Sequence, residues 1–320
     1  ECLFRRVPDL DIGERSELMR FICIGAGAIG TYVGGSLQAA EHDVTFVERP
    51  EAIDRLKAQG MTIVKADGAA VRLETIDVVP TVADALEKSG NSAPYDAVIF
   101  AVKSFNTEEV LRNLEPLKEQ LPPFIALQNG VENEAKLRSV LGPERVIPVS
   151  VCTAIARTDR GAIQVSKLRG IGIASGFPLS ADLCAAFTGA GLKAKLIAHA
   201  DGMKWSKMIS NLLSNAASAI LNMTPAEVYR DADLYALERR QILETVRVMD
   251  AYNIPVVDIP GVPVRLLVWV FRAIPSGVAR KILTKAIGGG RGSKMPSFHI
   301  DLYSGSRENE VEFLNGAIVR

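Results

Sequence analysis

The chain has 320 residues, of which 48% are hydrophobic and 23% are charged. These proportions are typical of globular proteins and exclude a disordered, collagen-like or coiled-coil chain. Thirty-seven basic residues balance thirty-seven acidic ones, so the composition supports neither nucleic-acid binding nor polybasic membrane attachment. The length is about twice that of a usual domain and favours two domains.

The cysteines and the apolar segments indicate the compartment. The cysteines at positions 2, 23, 152 and 184 form no CxxC pair, which favours reduced thiols. With so few histidines besides, we expect no metal site. The apolar stretch 266–274 contains Arg272 and is too short to cross a bilayer. Residues 1–18 lack the apolar core of a signal peptide, so we interpret them as an N-terminal extension and predict a cytoplasmic protein.

From Arg20 onward, short apolar runs alternate with amphipathic segments. This alternation is typical of a parallel sheet covered by helices on both faces. We therefore predict an α/β fold, with a Rossmann-type doubly wound sheet in a dinucleotide-binding domain at residues 19–199. The predicted strands are residues 21–24, 44–47, 97–102, 124–127, 146–156, 162–165 and 171–174.

A glycine-rich turn follows the first predicted strand and carries the clearest chemical signal. Residues 25–30 read GAGAIG, a GxGxxG motif between a strand and a helix. Gly25 permits the tight turn, Gly27 lets a pyrophosphate approach the backbone, and Gly30 allows close helix packing. A turn that merely packs well is the alternative. The residues predicted to bind a dinucleotide are Gly25, Ala26, Gly27, Ala28, Ile29 and Gly30.

The end of the second strand should meet the adenosine ribose, where NAD and NADP are distinguished. Glu48 favours NAD and Arg49 favours NADP. Neighbouring side chains at a strand end point in opposite directions, so the residue that faces inward decides the cofactor. We favour Arg49 and NADP, partly from the family resemblance given below. The alternative is that both are solvated charges.

Two later strand ends carry polar residues where the ligands of open α/β sheets bind. Lys103 could pair with cofactor oxygen atoms. Asn129 could hydrogen-bond the nicotinamide ribose or the substrate. An exposed loop charge and an ordinary turn are the respective alternatives.

After residue 200 helical periods dominate, which predicts a second, all-helical domain at residues 200–320. Residues 203–222 are predicted to form one helix with an apolar face and a face of Ser and Asn on which Lys207 is the only charge. Lys207, Asn211 and Asn215 are spaced over about 12 Å, which suits a nicotinamide with a small substrate beside it. The alternative is a helix buried by small polar contacts.

Polar residues recur near the end of the sequence. Ser297 suits a helix N-cap. Glu308, Glu310 and Glu312 are typical of a solvated acidic turn, so periodicity cannot select one of them as functional.

Several motifs in order resemble the ketopantoate reductase family. They are GAGAIG at 25–30, Arg49, VKSFN at 102–106, QNG at 128–130, WSKMISNLLSN at 205–215 and the late Ser297, Glu310 and LNG series. The resemblance implies a fold like that of 6-phosphogluconate dehydrogenase. It also implies NADPH-dependent reduction of 2-dehydropantoate to pantoate, a step towards pantothenate and coenzyme A.

The resemblance also implies roles for individual residues. Lys207 matches the family's catalytic lysine, and the type suits the reaction because a growing alkoxide needs a cationic donor that can yield a proton. The segment 301–310 is one residue longer than the commonest family spacing, so Glu308 is the alternative to Glu310. The other matches are Glu310 as partner acid, Asn211 and Asn215 on the substrate side, Ser297 as carboxylate ligand and Asn129 in the cleft.

The expected partner is a small-molecule 2-keto acid, with neither nucleic acid nor membrane. A homodimer is compatible with this architecture, although no residue specifies one. The alternatives are a reductase of another 2-keto acid, an opine-dehydrogenase-like enzyme and, less favoured, a non-catalytic NADP-binding sensor.

Overall fold

The computed structural model describes residues 18–90, 93–158, 162–291, 295–305 and 308–320. Residues 1–17 of the predicted N-terminal extension lie outside the described residues. The strands are β1 (Arg20–Ile24), β2 (Asp43–Val47), β3 (Met61–Val64), β4 (Ala70–Leu73), β5 (Asp77–Val79), β6 (Ala97–Phe100), β7 (Phe124–Ala126), β8 (Val146–Val151), β9 (Ala154–Arg157), β10 (Ile163–Lys167), β11 (Ile171–Ala174) and β12 (Ala194–Ile197).

Helices lie between the strands and then make up the second half of the chain. They are α1 (Ala28–Ala39), α2 (Pro50–Gln59), α3 (Val82–Ser89), α4 (Thr107–Leu114), α5 (Asn133–Leu141), α6 (Ser180–Gly189), α7 (Ala200–Leu212), α8 (Asn215–Leu221), α9 (Pro225–Arg230), α10 (Ala232–Ala251), α11 (Val264–Ala273), α12 (Ser276–Arg291), α13 (Ser297–Tyr303) and α14 (Val311–Val319). Among the described residues, none of the helices combines the length and the apolar character needed to cross a bilayer.

The large sheet has the strand order β12-β11-β8-β7-β6-β1-β2-β5. In this spatial order, the six strands β8-β7-β6-β1-β2-β5 are all parallel, whereas β11 pairs antiparallel with β8. The chain order reverses at β1, which lies between β2 and β6, and ligands of open α/β sheets bind at such a switch point. Ile24 pairs with both Val47 and Phe100, so the three strands end at one edge. The predicted Rossmann-type sheet is confirmed.

Burial on both faces explains the continuous apolar runs of the central strands. Phe21 and Cys23 pack in the core on the side of α1 and α6. Ile22 and Ile24 pack in the core on the side of α3, α4 and α5. Because helices cover both faces, residues 21–24 of β1 are all apolar, and no alternation of polar residues appears there.

A second sheet, with the order β4-β3-β10-β9, packs against α1. The sequence analysis predicted neither β3 nor β4, and it predicted a single strand where β8 and β9 are separate. Thr153 lies at the break, where its hydroxyl accepts hydrogen bonds from the amides of Arg169 and Gly170 at 3.3 and 3.0 Å. Those contacts come from a distant segment, so local sequence patterning does not reveal the break.

The prediction of one helix through residues 203–222 is wrong. The helix ends at Leu212, and α8 begins at Asn215, because Ser214 adopts a left-handed conformation with φ of 56°. The amide of Ser214 donates to Glu238 Oε2 at 2.7 Å, and this carboxylate is buried on α10. A distant buried acceptor thus stabilises the break.

Candidate active site

The glycine turn between β1 and α1 has the geometry of a phosphate cradle. Gly25 has φ of +94°, and a Cβ on Gly30 would lie 1.8 Å from the Gly25 carbonyl oxygen. A Cβ on Gly27 would meet nothing within 4 Å, and no side chain caps the helix that follows. The amides at the start of α1 therefore face open space, which fits the pyrophosphate of a dinucleotide.

At the end of β2, Glu48 and not Arg49 faces this turn. Glu48 Oε1 accepts a hydrogen bond from the Ala26 amide at 3.1 Å. Burial raises the pKa of the Cys23 thiol, and the negative charge of Glu48 raises it further. Arg49 is exposed and precedes α2. NADP, predicted from Arg49 and partly from the family resemblance, stays a prediction, because it is Glu48 that contacts the turn.

Arg157, at the end of β9, reaches the same turn from the small sheet. Its Nη2 donates to the Ala26 carbonyl oxygen at 3.2 Å. The guanidinium therefore brings a positive charge beside the open space at Gly27. Arg157 was not predicted as a site residue from the sequence, because no motif surrounds it and the small sheet that positions it was not predicted.

The loops after β6 and β7 meet through Ser104, which is 2% exposed. Its Oγ lies 3.1 Å from the Asn129 carbonyl oxygen and 3.3 Å from Glu310 Oε1, so its proton can bond to either. Asn133 Nδ2 donates to the same hydroxyl at 3.1 Å. The sequence analysis selected only Lys103 from this loop, and Ser104 beside it was missed.

Glu310 is the late glutamate that lies inside this cluster. It is 8% exposed and immediately precedes α14, whereas Glu308 is exposed. Lys103 Nζ lies 3.6 Å from Glu310 Oε2 and 3.3 Å from Asp301 Oδ2. Lys103 therefore joins the sheet edge to the segment that carries α13 and the start of α14, and the geometry favours Glu310 over Glu308.

Helix α7 brings Lys207 and Asn211 to the sheet edge. Asn211 Nδ2 donates to Asn129 Oδ1 at 3.1 Å, which joins two predicted site residues. Lys207 is half-buried one turn earlier on the same face. Burial raises the pKa of the Cys152 thiol, and the charge of Lys207 acts in the opposite direction. Since Asn211, one turn later on α7, contacts Asn129 in the loop after β7, Lys207 lies near the carboxyl ends of the strands.

Asn215 and Ser297 lie close to each other at the start of α13. Asn215 is 2% exposed, and its Oδ1 accepts from the Phe298 amide at 3.3 Å. Ser297 is exposed at the first turn of α13. Pro296, and not Ser297, occupies the N-cap of α13, and no side chain caps that helix. The hydroxyl of Ser297 is therefore accessible at the start of α13, and the bond from Asn215 helps to hold this helix in place.

A buried ion pair joins α7 to α5. Lys204 Nζ lies 2.7 Å from Glu134 Oε1, and the two side chains are 5% and 6% exposed, respectively. The ammonium also donates to the carbonyl oxygens of Gln128 and Val149 at 2.6 and 3.3 Å. Sequence patterning did not single out Lys204, because one lysine on an amphipathic helix gives no sign that its partner is buried.

Comparisons with known proteins match both parts of the chain to one family. The family profile described as Ketopantoate reductase PanE/ApbA matches residues 21–175, and the profile described as Ketopantoate reductase PanE/ApbA C terminal matches residues 200–320. The 2-dehydropantoate 2-reductase of Halobacterium salinarum is 27% identical over 311 residues, which cover 94% of this chain and 91% of that protein.

Solved structures show the same architecture. The crystal structure of a PanE/ApbA family ketopantoate reductase from Ralstonia eutropha JMP134 superposes with a TM-score of 0.75 at 26% identity, covering 94% of this chain and 90% of that one. D-mandelate dehydrogenase in a ternary structure with NADH and anilino(oxo)acetate has a TM-score of 0.72 at 19% identity, covering 94% and 91%, and shares the fold. The chain is therefore an oxidoreductase and belongs to the ketopantoate reductase family.

Proposed function

We propose that this chain reduces 2-dehydropantoate to pantoate with a reduced nicotinamide cofactor. The observation that supports this most is the contact between Asn211 of α7 and Asn129 of the sheet edge at 3.1 Å. This contact joins the helix that carries Lys207 to the loop after β7, at the carboxyl edge of the sheet. The substrate itself follows from the names of the relatives, and the residues described above supply the chemistry that a 2-keto acid requires.

The cofactor would be held by the glycine turn and by Arg157. The free amides at the start of α1 would bind the pyrophosphate, and the guanidinium of Arg157 would balance part of its charge. A reduced nicotinamide bound there supplies a hydride to the ketone carbon. In the sequence, the presence of Arg49 favours NADPH, whereas in the structure the position of the Glu48 carboxylate favours NADH.

Lys207 would act on the ketone oxygen. As the carbonyl carbon is reduced, its oxygen gains negative charge, and an ammonium at hydrogen-bond distance stabilises that charge and then donates the proton that completes the alcohol. Lys207 is half-buried one turn before Asn211 on α7, which supports this role. Asn129 and Asn211 would orient the substrate through their amide groups, because each retains donors or acceptors beyond their mutual bond.

The remaining predicted residues would bind and position. Glu310 and Ser104 fix Lys103 and the Asn129 backbone around the cleft, so we propose that Glu310 shapes the site as well as serving as the partner acid. Ser297, held beside Asn215, would bind the substrate carboxylate through its exposed hydroxyl.

Steady-state kinetics tests the proposal. The rate of absorbance loss at 340 nm should be measured with 2-dehydropantoate, with pyruvate and with 2-oxoisovalerate, each with NADH and with NADPH. We expect kcat/KM for 2-dehydropantoate to exceed that for the other acids by at least about 100-fold, because its hydroxyl offers hydrogen bonds that the analogues lack. Comparable values for all three acids, or a higher value for another, would contradict the proposed substrate.

A further inference from the structure

Glu48 holds its carboxylate against the glycine turn by backbone hydrogen bonds. Its Oε1 accepts from the Ala26 amide at 3.1 Å, and its Oε2 accepts from the Arg49 amide at 2.8 Å. These two bonds fix the carboxylate at the carboxyl end of β2. Each carboxylate oxygen can accept a second hydrogen bond, so the group retains acceptor capacity for hydroxyls of a ligand.

Arg49 does not share this position. Its backbone is extended, with φ of −64° and ψ of 148°, and its side chain is exposed just before Pro50 begins α2. Neighbouring side chains on an extended backbone point in opposite directions. The negative charge therefore lies at the turn, and the positive charge lies towards the rim.

The adenosine ribose of a dinucleotide lies beside this strand end in folds of this type. A ribose 2′-hydroxyl can donate to a carboxylate, whereas an ionised 2′-phosphate brings up to two negative charges and has no proton to donate. We propose that Glu48 makes this chain select NADH and discriminate against NADPH. This rests on the proposed function, because it concerns the cofactor of that same site.

The size of the discrimination follows from electrostatics. At about 5 Å and an effective dielectric constant of about 20, a carboxylate repels each phosphate charge enough to weaken binding by about 250-fold before salt screening. Salt and the guanidinium of Arg49 at the rim reduce this effect. We therefore expect NADH to bind at least about tenfold more tightly than NADPH.

Direct binding measurements test the proposal without any keto acid. The dissociation constants of NADH and NADPH should be measured by isothermal titration calorimetry for the full chain and for Glu48→Gln, Arg49→Gln and Glu51→Gln. Gln at position 48 keeps an oxygen that can accept from the Ala26 amide and removes the charge. Glu51 is an exposed acid in the first turn of α2, so its change to Gln is a control with the same loss of charge.

The expected results are specific to Glu48. The unmodified chain should prefer NADH by about tenfold or more, Glu48→Gln should bind NADPH at least about tenfold more tightly, and Glu51→Gln should keep the original ratio within about twofold. A preference of the unmodified chain for NADPH that Arg49→Gln abolishes would overturn the proposal. Failure to bind either cofactor would overturn it together with the proposed function. Tight NADH binding without reduction of 2-dehydropantoate would contradict the proposed substrate only.

Discussion

At the scale of single residues, the candidate site is a set of short polar contacts between side chains from both halves of the chain. Asn129 binds Asn211, Ser104 lies between Asn129 and Glu310, and Lys103 pairs with Glu310. Together these contacts join the sheet edge to α7 and to the residue that precedes α14. The residues that would handle the substrate are thus held in place by their neighbours before any ligand binds, which lowers the cost of orienting it.

Lys207 provides the first test at this scale. We expect Lys207→Ala to lower kcat with 2-dehydropantoate by about 100- to 10,000-fold, because the proton donor is lost, while the affinity for the cofactor changes by less than about threefold. Lys195, exposed on β12, is a control whose change to Ala should leave both quantities unchanged. Steady-state kinetics and cofactor titration measure the two effects. An unchanged kcat for Lys207→Ala would remove the proposed role.

At the scale of elements, the GxGxxG motif correctly predicted the turn and the strand and helix on either side of it, because each glycine there serves a local steric need. The break between α7 and α8 was not predicted, since it depends on Glu238 of α10 binding the Ser214 amide. The orientation of Glu48 was not predicted either, because sequence alone gives two adjacent charges and no direction. Local rules therefore describe the turn, while distant partners determine the break and the strand end.

Two glycines of the turn give a matched pair of predictions. We expect Gly30→Ala to lower the melting temperature and to abolish cofactor binding, because its Cβ would lie 1.8 Å from the Gly25 carbonyl oxygen. Gly27→Ala should fold almost as well, since its Cβ would meet nothing within 4 Å, but its methyl group would occupy the path of the pyrophosphate. Its cofactor affinity should fall by about tenfold or more.

Calorimetry and cofactor titration of the two glycine variants separate these effects. If Gly27→Ala bound the cofactor with unchanged affinity, the pyrophosphate would not approach the backbone at this turn. If Gly30→Ala kept its melting temperature, the close packing of α1 on the turn would not contribute to stability.

At the scale of the whole molecule, the ion pair between Lys204 and Glu134 connects α7 to α5. Both groups are buried, and Lys204 also donates to the carbonyl oxygens of Gln128, after β7, and of Val149, in β8. The length and the change to helical periods after residue 200 allowed the two-part architecture to be predicted from sequence, and the sheet and the family are confirmed. The contacts that hold the parts together were not predicted, because they join residues 55 or more positions apart.

The buried ion pair should contribute strongly to the free energy of unfolding, because each buried charge is neutralised by its partner. We expect Lys204→Met to lower the free energy of unfolding by about 3 to 5 kcal/mol, because Glu134 is left buried without its partner. The double variant Lys204→Met with Glu134→Leu should recover most of that loss. Lys136→Met breaks the exposed pair with Glu108 and should cost less than about 1 kcal/mol. Urea denaturation measures all three.

The result for the double variant separates two explanations of the ion pair. Recovery in the double variant would show that the uncompensated charge is what destabilises Lys204→Met. Equal losses for Lys204→Met and Lys136→Met would contradict the view that the buried pair anchors α7.

We expect Lys207 of α7 to reach a keto acid bound beside the glycine turn. A crystal structure of the unreactive complex with the oxidised cofactor and 2-dehydropantoate tests this expectation. Lys207 Nζ should lie about 2.6 to 3.2 Å from the ketone oxygen, with Asn129 and Asn211 beside the substrate. A keto acid bound elsewhere, or an ammonium directed away from the ketone into solvent, would contradict it.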